Sequence, residues 1–93
     1  MIAKKDMKTR TLRCGNNEVE IAFWGITAHG WEYYLEAPNE FGLAYGYIMG
    51  AEDEWGSVNM KDILPYMYMT ATGADLMDLF PPLSDYDRME WVG

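Results

Sequence analysis

The sequence predicts an α+β fold, in which an antiparallel meander sheet of five to six strands carries short C-terminal helices packed on one side or end. Three observations predict it. Apolar and polar residues alternate along much of residues 9–60, short glycine-containing turns separate the alternating runs, and the period changes in the last third of the chain. Because 93 residues leave no room for two cores, residues 1–93 are expected to form a single domain.

The first predicted element is a β-hairpin over TRTLRCGNNEVEIAFWGIT, residues 9–27. Gly15-Asn16-Asn17 supplies residues that tolerate the positive φ of a tight turn. The return strand is expected to alternate, with Val19, Ile21 and Phe23 on one face and Glu20, Ala22 and Trp24 on the other.

The next stretch, GWEYYLEAPNEFGLAYGYIMG, predicts two more strands around a turn at APNEFG. Gly46 is expected either to permit a bulge or to let a neighbouring ring pack over it. AEDE is then predicted to form a turn and WGSVNM a short closing strand. The alternation along the first of these strands is expected to separate Trp31, Tyr33 and Leu35 from Glu32, Tyr34 and Glu36.

The last third of the chain combines helix signals with one more alternating run. Asn59, with Asp62 three residues on, is expected to cap a short helical turn, MKDIL, which Pro65 limits. YMYMTA alternates and predicts a sixth strand at the sheet edge. Two pairs that resemble capping boxes, Thr72 with Asp75 and Ser84 with Asp87, predict helices over GADLMDLF and DYDRMEW.

Charge is unevenly distributed along this chain, whose net charge is −8. Residues 1–13 hold five basic residues and one acid, whereas residues 14–93 hold fourteen acids and two basic residues. An acidic body repels nucleic acid and anionic membranes, and it attracts basic protein surfaces by long-range steering. The alternative is that the acids only keep the protein soluble.

No membrane segment or signal peptide is expected, because no uncharged run approaches the roughly 18 residues that a membrane helix needs. Cys14 is the only cysteine, so an intramolecular disulfide is excluded. The expected location is therefore the cytoplasm, in the host cell if the protein comes from a mobile element.

Catalytic, metal and cofactor sites are not predicted. The chain has one histidine, His29, and no sequence signal that brings it to Cys14; a small enzyme using these two residues is the least favoured class. Glu52, Asp53 and Glu54 are adjacent in a predicted turn, and their carboxylates are not expected to converge on one metal ion. A basic cluster with Trp24 or Trp31 as stacking platform is the alternative for nucleic-acid binding, its residues being Lys4, Lys5, Lys8, Arg10 and Arg13.

Aromatic residues and methionine exceed what a small core needs, with four Trp, seven Tyr and eight Met. Tyrosine and tryptophan are favoured anchors of protein interfaces, and here they are interleaved with carboxylates. The predicted partner-binding residues are Glu32, Tyr34, Glu36, Glu40, Glu52, Asp53, Glu54 and Trp55. Further aromatic candidates are Tyr45, Tyr47, Tyr66 and Tyr68.

The stretch GWEYYLEAPNEFGLAYGYIMGAEDEWGSVNMKDI resembles a family of small phage- and plasmid-borne accessory proteins of unknown function. The resemblance covers about a third of the chain and combines an aromatic strand, a glycine-aromatic strand and an acidic segment. The positions that carry it are Trp31, Tyr33, Tyr34, Glu36, Tyr45, Gly46, Tyr47, Ile48, Gly50, Glu52, Glu54, Gly56 and Asp62. It implies a mobile-element context and brings no catalytic residues.

Size, charge and this context favour a non-enzymatic inhibitor of a host nucleic-acid-handling complex. By analogy with anti-CRISPR and antirestriction proteins, its acids are expected to occupy the basic surface of that complex, most plausibly a CRISPR effector. It is expected to bind neither nucleic acid nor membrane directly, and to be a monomer or homodimer. The alternative class is a self-associating structural or accessory module that pairs through the YMYMTA edge.

Overall fold

The computed structural model describes residues 9–72 and 89–92. These residues form mostly antiparallel sheet with one short helix. The strands are β1 (Arg10–Cys14), β2 (Asn17–Ile21), β3 (Phe23–Thr27), β4 (Glu32–Leu35), β5 (Leu43–Met49), β6 (Asp53–Asn59), β7 (Met67–Thr72) and β8 (Met89–Trp91). Helix α1 (Met60–Ile63) and a 3₁₀ turn (Leu64–Tyr66) lie between β6 and β7.

The strands form two sheets, and the prediction of one meander is wrong in this respect. The larger sheet has the order β6-β5-β4-β3-β7, and the smaller has the order β2-β1-β8. Four sequential strands of the larger sheet, β3 to β6, do follow one another as a meander. The predicted sixth strand is β7, and its position at an edge of the described sheet is confirmed; its pairing with β3 was not predicted.

The two sheets meet at Ala22, which lies between β2 and β3. Ile21 pairs with Arg10 in the smaller sheet, whereas the backbone N–H of Ala22 donates to the carbonyl of Leu35 in the larger sheet, at 2.8 Å. Because the chain passes from one sheet to the other at Ala22, the predicted alternation of side chains does not continue from β2 into β3. Val19 and Ile21 pack with Trp24 in one core cluster, and Phe23 lies in the other, so the predicted grouping of Phe23 with Val19 is wrong.

The larger sheet has a core cluster on each face. Tyr34 belongs to the cluster between the two sheets, and its neighbours Tyr33 and Leu35 belong to the cluster under α1, as side chains alternate along a strand. The inter-sheet core consists of Leu12, Val19, Ile21, Trp24, Tyr34, Met49, Ala71 and Met89. The second core consists of Phe23, Tyr33, Leu35, Ala44 and Ile48, with Ile63 and Met67 among the residues packed on it.

The short helix follows the sequence signal that predicts it. Asn59 has an extended backbone and its side chain accepts a hydrogen bond from the N–H of Lys61, at 3.2 Å, which is the N-cap arrangement. Pro65 lies within the 3₁₀ turn that ends the helical segment. The prediction for MKDIL is confirmed.

The predicted C-terminal helices are not matched where the structure describes them. Met89–Trp91, the end of DYDRMEW, is strand β8, which pairs with β1. Met89 is buried in the inter-sheet core and Trp91 packs against it, while Glu90 between them is exposed and pairs with Arg13, so these residues fit a strand better than a helix. The stretch GADLMDLF lies outside the described residues.

Candidate functional site

The acidic triplet lies at the tip of the β5–β6 hairpin. Glu52 is in the turn, and Asp53 and Glu54 are the first residues of β6, opposite Met49 and Ile48. All three are exposed. Because adjacent strand residues point to opposite faces, Asp53 and Glu54 present charge on both sides of the hairpin. Among residues 9–72 and 89–92, no group of three metal-binding side chains converges.

Two of the predicted partner-binding residues are buried, and the structure removes them from the surface. Glu32 and Tyr34 are 5% and 0% exposed, and the Tyr34 hydroxyl donates to Glu32 Oε1 at 2.8 Å. Burial, together with the neighbouring Glu32 carboxylate, raises the pKa of Tyr34 above its ordinary value. The alternation correctly places both residues on one face, but the smaller sheet covers that face.

Glu40 lies in the β4–β5 loop, at the opposite end of the hairpin from the triplet. There Leu43 pairs with Asn59, and the carbonyl of Gly42 accepts a hydrogen bond from the N–H of Met60, at 2.9 Å. Six residue steps along β6 separate the two ends by about 20 Å. Glu40 is exposed, but it lies far from Glu52.

Glu36 and Trp55 come together in a groove between the two sheets, which we name the acidic-aromatic groove. Its volume is about 320 Å³, and its lining residues are Asn17, Glu18, Val19, Glu36, Tyr45 and Trp55. The ring of Trp55 stacks on that of Tyr45 with centroids 5.9 Å apart, and it meets Tyr47 edge-on at 4.9 Å. Sequence reasoning proposed Glu36 and Trp55 but not Glu18, which comes from the other sheet.

The carboxylates near the hairpin lack internal partners, whereas the described arginines are engaged. Arg13 bonds Glu18 at 3.0 Å and Glu90 at 2.8 Å, and these hydrogen bonds raise its pKa. Arg10 is buried, with its guanidinium carbon 4.7 Å from the ring centroid of Trp91. Within the described residues, the carboxylates that have no hydrogen bond or ion pair are Glu36, Glu40, Glu52, Asp53, Glu54 and Asp62.

A second cavity, of about 390 Å³, lies beside the β3–β4 turn and was missed by sequence reasoning. Its lining includes the aromatic rings of Trp31, Tyr33 and Tyr66. His29, in the β3–β4 turn, also lines it. Cys14, by contrast, packs against the inter-sheet core, where burial raises the pKa of its thiol. The structure therefore places His29 in the β3–β4 turn of the larger sheet and Cys14 at the end of β1 in the smaller sheet.

No family model, curated protein or solved structure matches this chain. The resemblance to phage and plasmid accessory proteins consequently stays a hypothesis, and function is argued from geometry. In the part of the chain that the structure describes, no helix is both long and apolar enough to cross a membrane.

Proposed function

We propose that this protein is a non-enzymatic binding protein that attaches to a basic protein surface and thereby inhibits a host nucleic-acid-handling complex. The observation that carries the proposal is the separation of charge in the described residues. Six carboxylates without internal partners lie between Glu36 and Asp62, a range that holds one basic residue, Lys61, whereas Arg10 and Arg13 are used inside the fold.

Such a surface suits a partner that normally binds nucleic acid. The nucleic-acid channels of such partners are lined with Lys and Arg that contact phosphates. A protein that displays carboxylates at several separate points can therefore compete with nucleic acid for these basic residues. The exposed rings near these carboxylates add the apolar anchors that interfaces favour. A CRISPR effector is the partner we favour, because the resemblance above implies a phage or plasmid context.

Direct nucleic-acid binding is less well supported by the same geometry. Two of the five basic residues in the N-terminal cluster are engaged, and Trp24, one of the two proposed stacking platforms, is buried. Trp31 is 42% exposed and keeps one platform available. A single ring in an acidic surface does not provide the continuous basic groove that backbone binding requires.

The proposal predicts salt-sensitive capture of a nucleic-acid-binding complex from bacterial lysate by the tagged protein. The variant Glu52→Gln, Asp53→Asn, Glu54→Gln should retain the fold, since these side chains have no internal partners. We expect it to bind the captured complex at least about tenfold more weakly at low salt, chiefly through slower association, and with a smaller salt dependence.

The matched comparison removes two charges at each place: Glu52→Gln with Glu54→Gln at the tip, against Glu40→Gln with Asp62→Asn, whose side chains also have no partner within the described residues. If net charge alone drives binding, both double variants weaken it equally, and the assignment to the hairpin tip is wrong. Recovery of the bait alone at low salt, from lysates of cells that carry CRISPR and restriction systems, would contradict the proposed function.

Self-association through β7 is the second candidate, because a specific observation favours it. Among the described residues no strand pairs with the outer edge of β7, and Tyr68 and Met69 on that strand are 74% and 53% exposed. Sedimentation over a range of concentrations tests it. A stable oligomer that Tyr68→Ser with Met69→Ser dissociates would favour an assembly module, whereas a monomer at all concentrations would exclude this class.

A further inference from the structure

We propose that the acidic-aromatic groove binds one arginine side chain of a basic partner protein. The inference rests on the proposed function and deepens it, because it states which cation the surface selects and where. Three properties of the groove carry it: its stacked rings, the free carboxylate of Glu36, and its small volume.

The rings form the wall on which a planar cation can lie. Tyr45 is 45% exposed and stacks on Trp55 with an interplanar angle of 12°, while Tyr47 supports Trp55 from the edge at 65°. A guanidinium is attracted to the face of such rings and stacks flat on them. The fold already contains one contact of this type, between Arg10 and Trp91.

Glu36 places a carboxylate beside this wall. Its backbone N–H donates to the carbonyl of Tyr45 at 2.8 Å, which continues the β4–β5 pairing, so the side chains of Glu36 and Tyr45 lie on the same face. Glu36 is half-buried and has no hydrogen bond or ion pair within the described residues. A carboxylate in this position can accept two parallel N–H bonds from a guanidinium.

Glu18 on the opposite rim adds to the negative potential but is already occupied. Its Oε2 accepts from Arg13 at 3.0 Å, and Arg13 is shared with Glu90. One guanidinium between two carboxylates leaves this rim net negative. Glu36 is therefore the anchor for an incoming cation, and Glu18 strengthens the field around it.

The volume and the shape of the groove favour arginine over other cations. About 320 Å³ is near the lower end of ligand pockets, which run from roughly 300 to 1,000 Å³, and it suits one side chain. The lysine ammonium is compact and strongly hydrated and cannot stack, whereas the guanidinium is planar and more weakly hydrated.

The test is an NMR titration of the full chain at constant ionic strength with the peptide acetyl-Gly-Arg-Gly-amide. Matched peptides carry lysine or citrulline, the neutral isostere of arginine, in place of the arginine. We expect saturable shifts at the Trp55 indole N–H and the Tyr45 amide with arginine, several-fold weaker binding with lysine, and none with citrulline. Equal binding of all three peptides, or no saturable shift at Trp55, would overturn the inference.

Two single-charge variants locate the cation. Glu36→Gln should weaken arginine binding about tenfold, the loss expected for one charge-assisted contact. Asp62→Asn removes the same charge from α1, which packs on the other face of the larger sheet, and should change the affinity less than twofold. Equal weakening by both variants would mean that the peptide responds to net charge, and the groove assignment fails.

The peptide titration and the lysate capture fail separately. If the hairpin-tip variant loses the captured complex but the arginine peptide does not bind, the proposed function holds without the groove. If the peptide binds and depends on Glu36 while no complex is captured, the groove holds and the proposed inhibitor role is wrong.

Discussion

Gly46 lies where β5 passes closest to β4. A Cβ at this position would collide with the carbonyl oxygen of Tyr34 and lie 2.8 Å from the Cα of Leu35. The bulge suggested by the sequence is wrong, and the atoms nearest to a Cβ here belong to the backbone of β4 and not to a ring. β4 and β5 pair here without a register shift.

We predict that Gly46→Ala lowers the free energy of unfolding by about 1–3 kcal/mol, as overpacking does when backbone must move. Gly56→Ala is the matched control, since Gly56 pairs with Gly46 in the sheet and a Cβ there meets nothing within 4 Å. Urea unfolding followed by tryptophan fluorescence measures both variants. Equal stability of the two would show that β4 accommodates the methyl group.

Glu32 shows why residue-scale predictions of the site succeeded only in part. Its alternation with Tyr33 was predicted correctly, but an acid that shares a face with tyrosine is expected to face solvent. The structure instead buries it with Tyr34 as hydrogen-bond donor. Glu36, four residues on, has the same pattern in sequence but is only half-buried, because it lines the open groove opposite Glu18.

At the scale of elements, the sequence predicted those turns, caps and strands that are determined by residues close together in the chain. The turn at Gly15, where φ is 61°, the cap at Asn59 and the alternation of β7 all act within a few positions. The strand β8 was missed, because a three-residue strand has no periodicity of its own to detect. Its assignment depends on Arg13 and Leu12, which lie more than seventy positions earlier in the chain.

In the β5–β6 hairpin, the turn was predictable from the sequence, but the packing of β2 against the hairpin was not. The sequence GAEDEWGS indicates the turn, and the structure places Asp53 and Glu54 at the start of β6 beyond it. Trp55 follows and reaches the groove only because β2 brings Val19 and Glu18 to face it. No pattern in the sequence indicates that these two segments lie together, so the groove could not be predicted without the structure.

At the scale of the whole molecule, we predict that stability falls as the pH rises above 10. The folded protein holds the Tyr34 proton more tightly than the unfolded chain, whose phenol has the ordinary pKa of 10.0. The contribution is therefore complete below that pH and is lost above it, at up to about 1.4 kcal/mol per pH unit.

Urea unfolding between pH 8 and pH 11 measures this slope, and Tyr34→Phe serves as the comparison. The variant has no phenol proton at this position, so its free energy of unfolding should fall less steeply above pH 10, whatever its stability at neutral pH. The raised pKa values of Tyr33 and Cys14 contribute equally to both proteins. Identical slopes would contradict the prediction.

Ala22 has a consequence for how the molecule opens. One continuous run of chain supplies strands to both sheets, and its only interruption is a residue whose amide is hydrogen-bonded to Leu35. Trp24 of β3 lies in the core that both sheets share, so separating the smaller sheet would expose it. We expect the two sheets to unfold as one cooperative unit. In native-state hydrogen exchange, the amide protons of β1 and β4 should then exchange with the same free energy of opening.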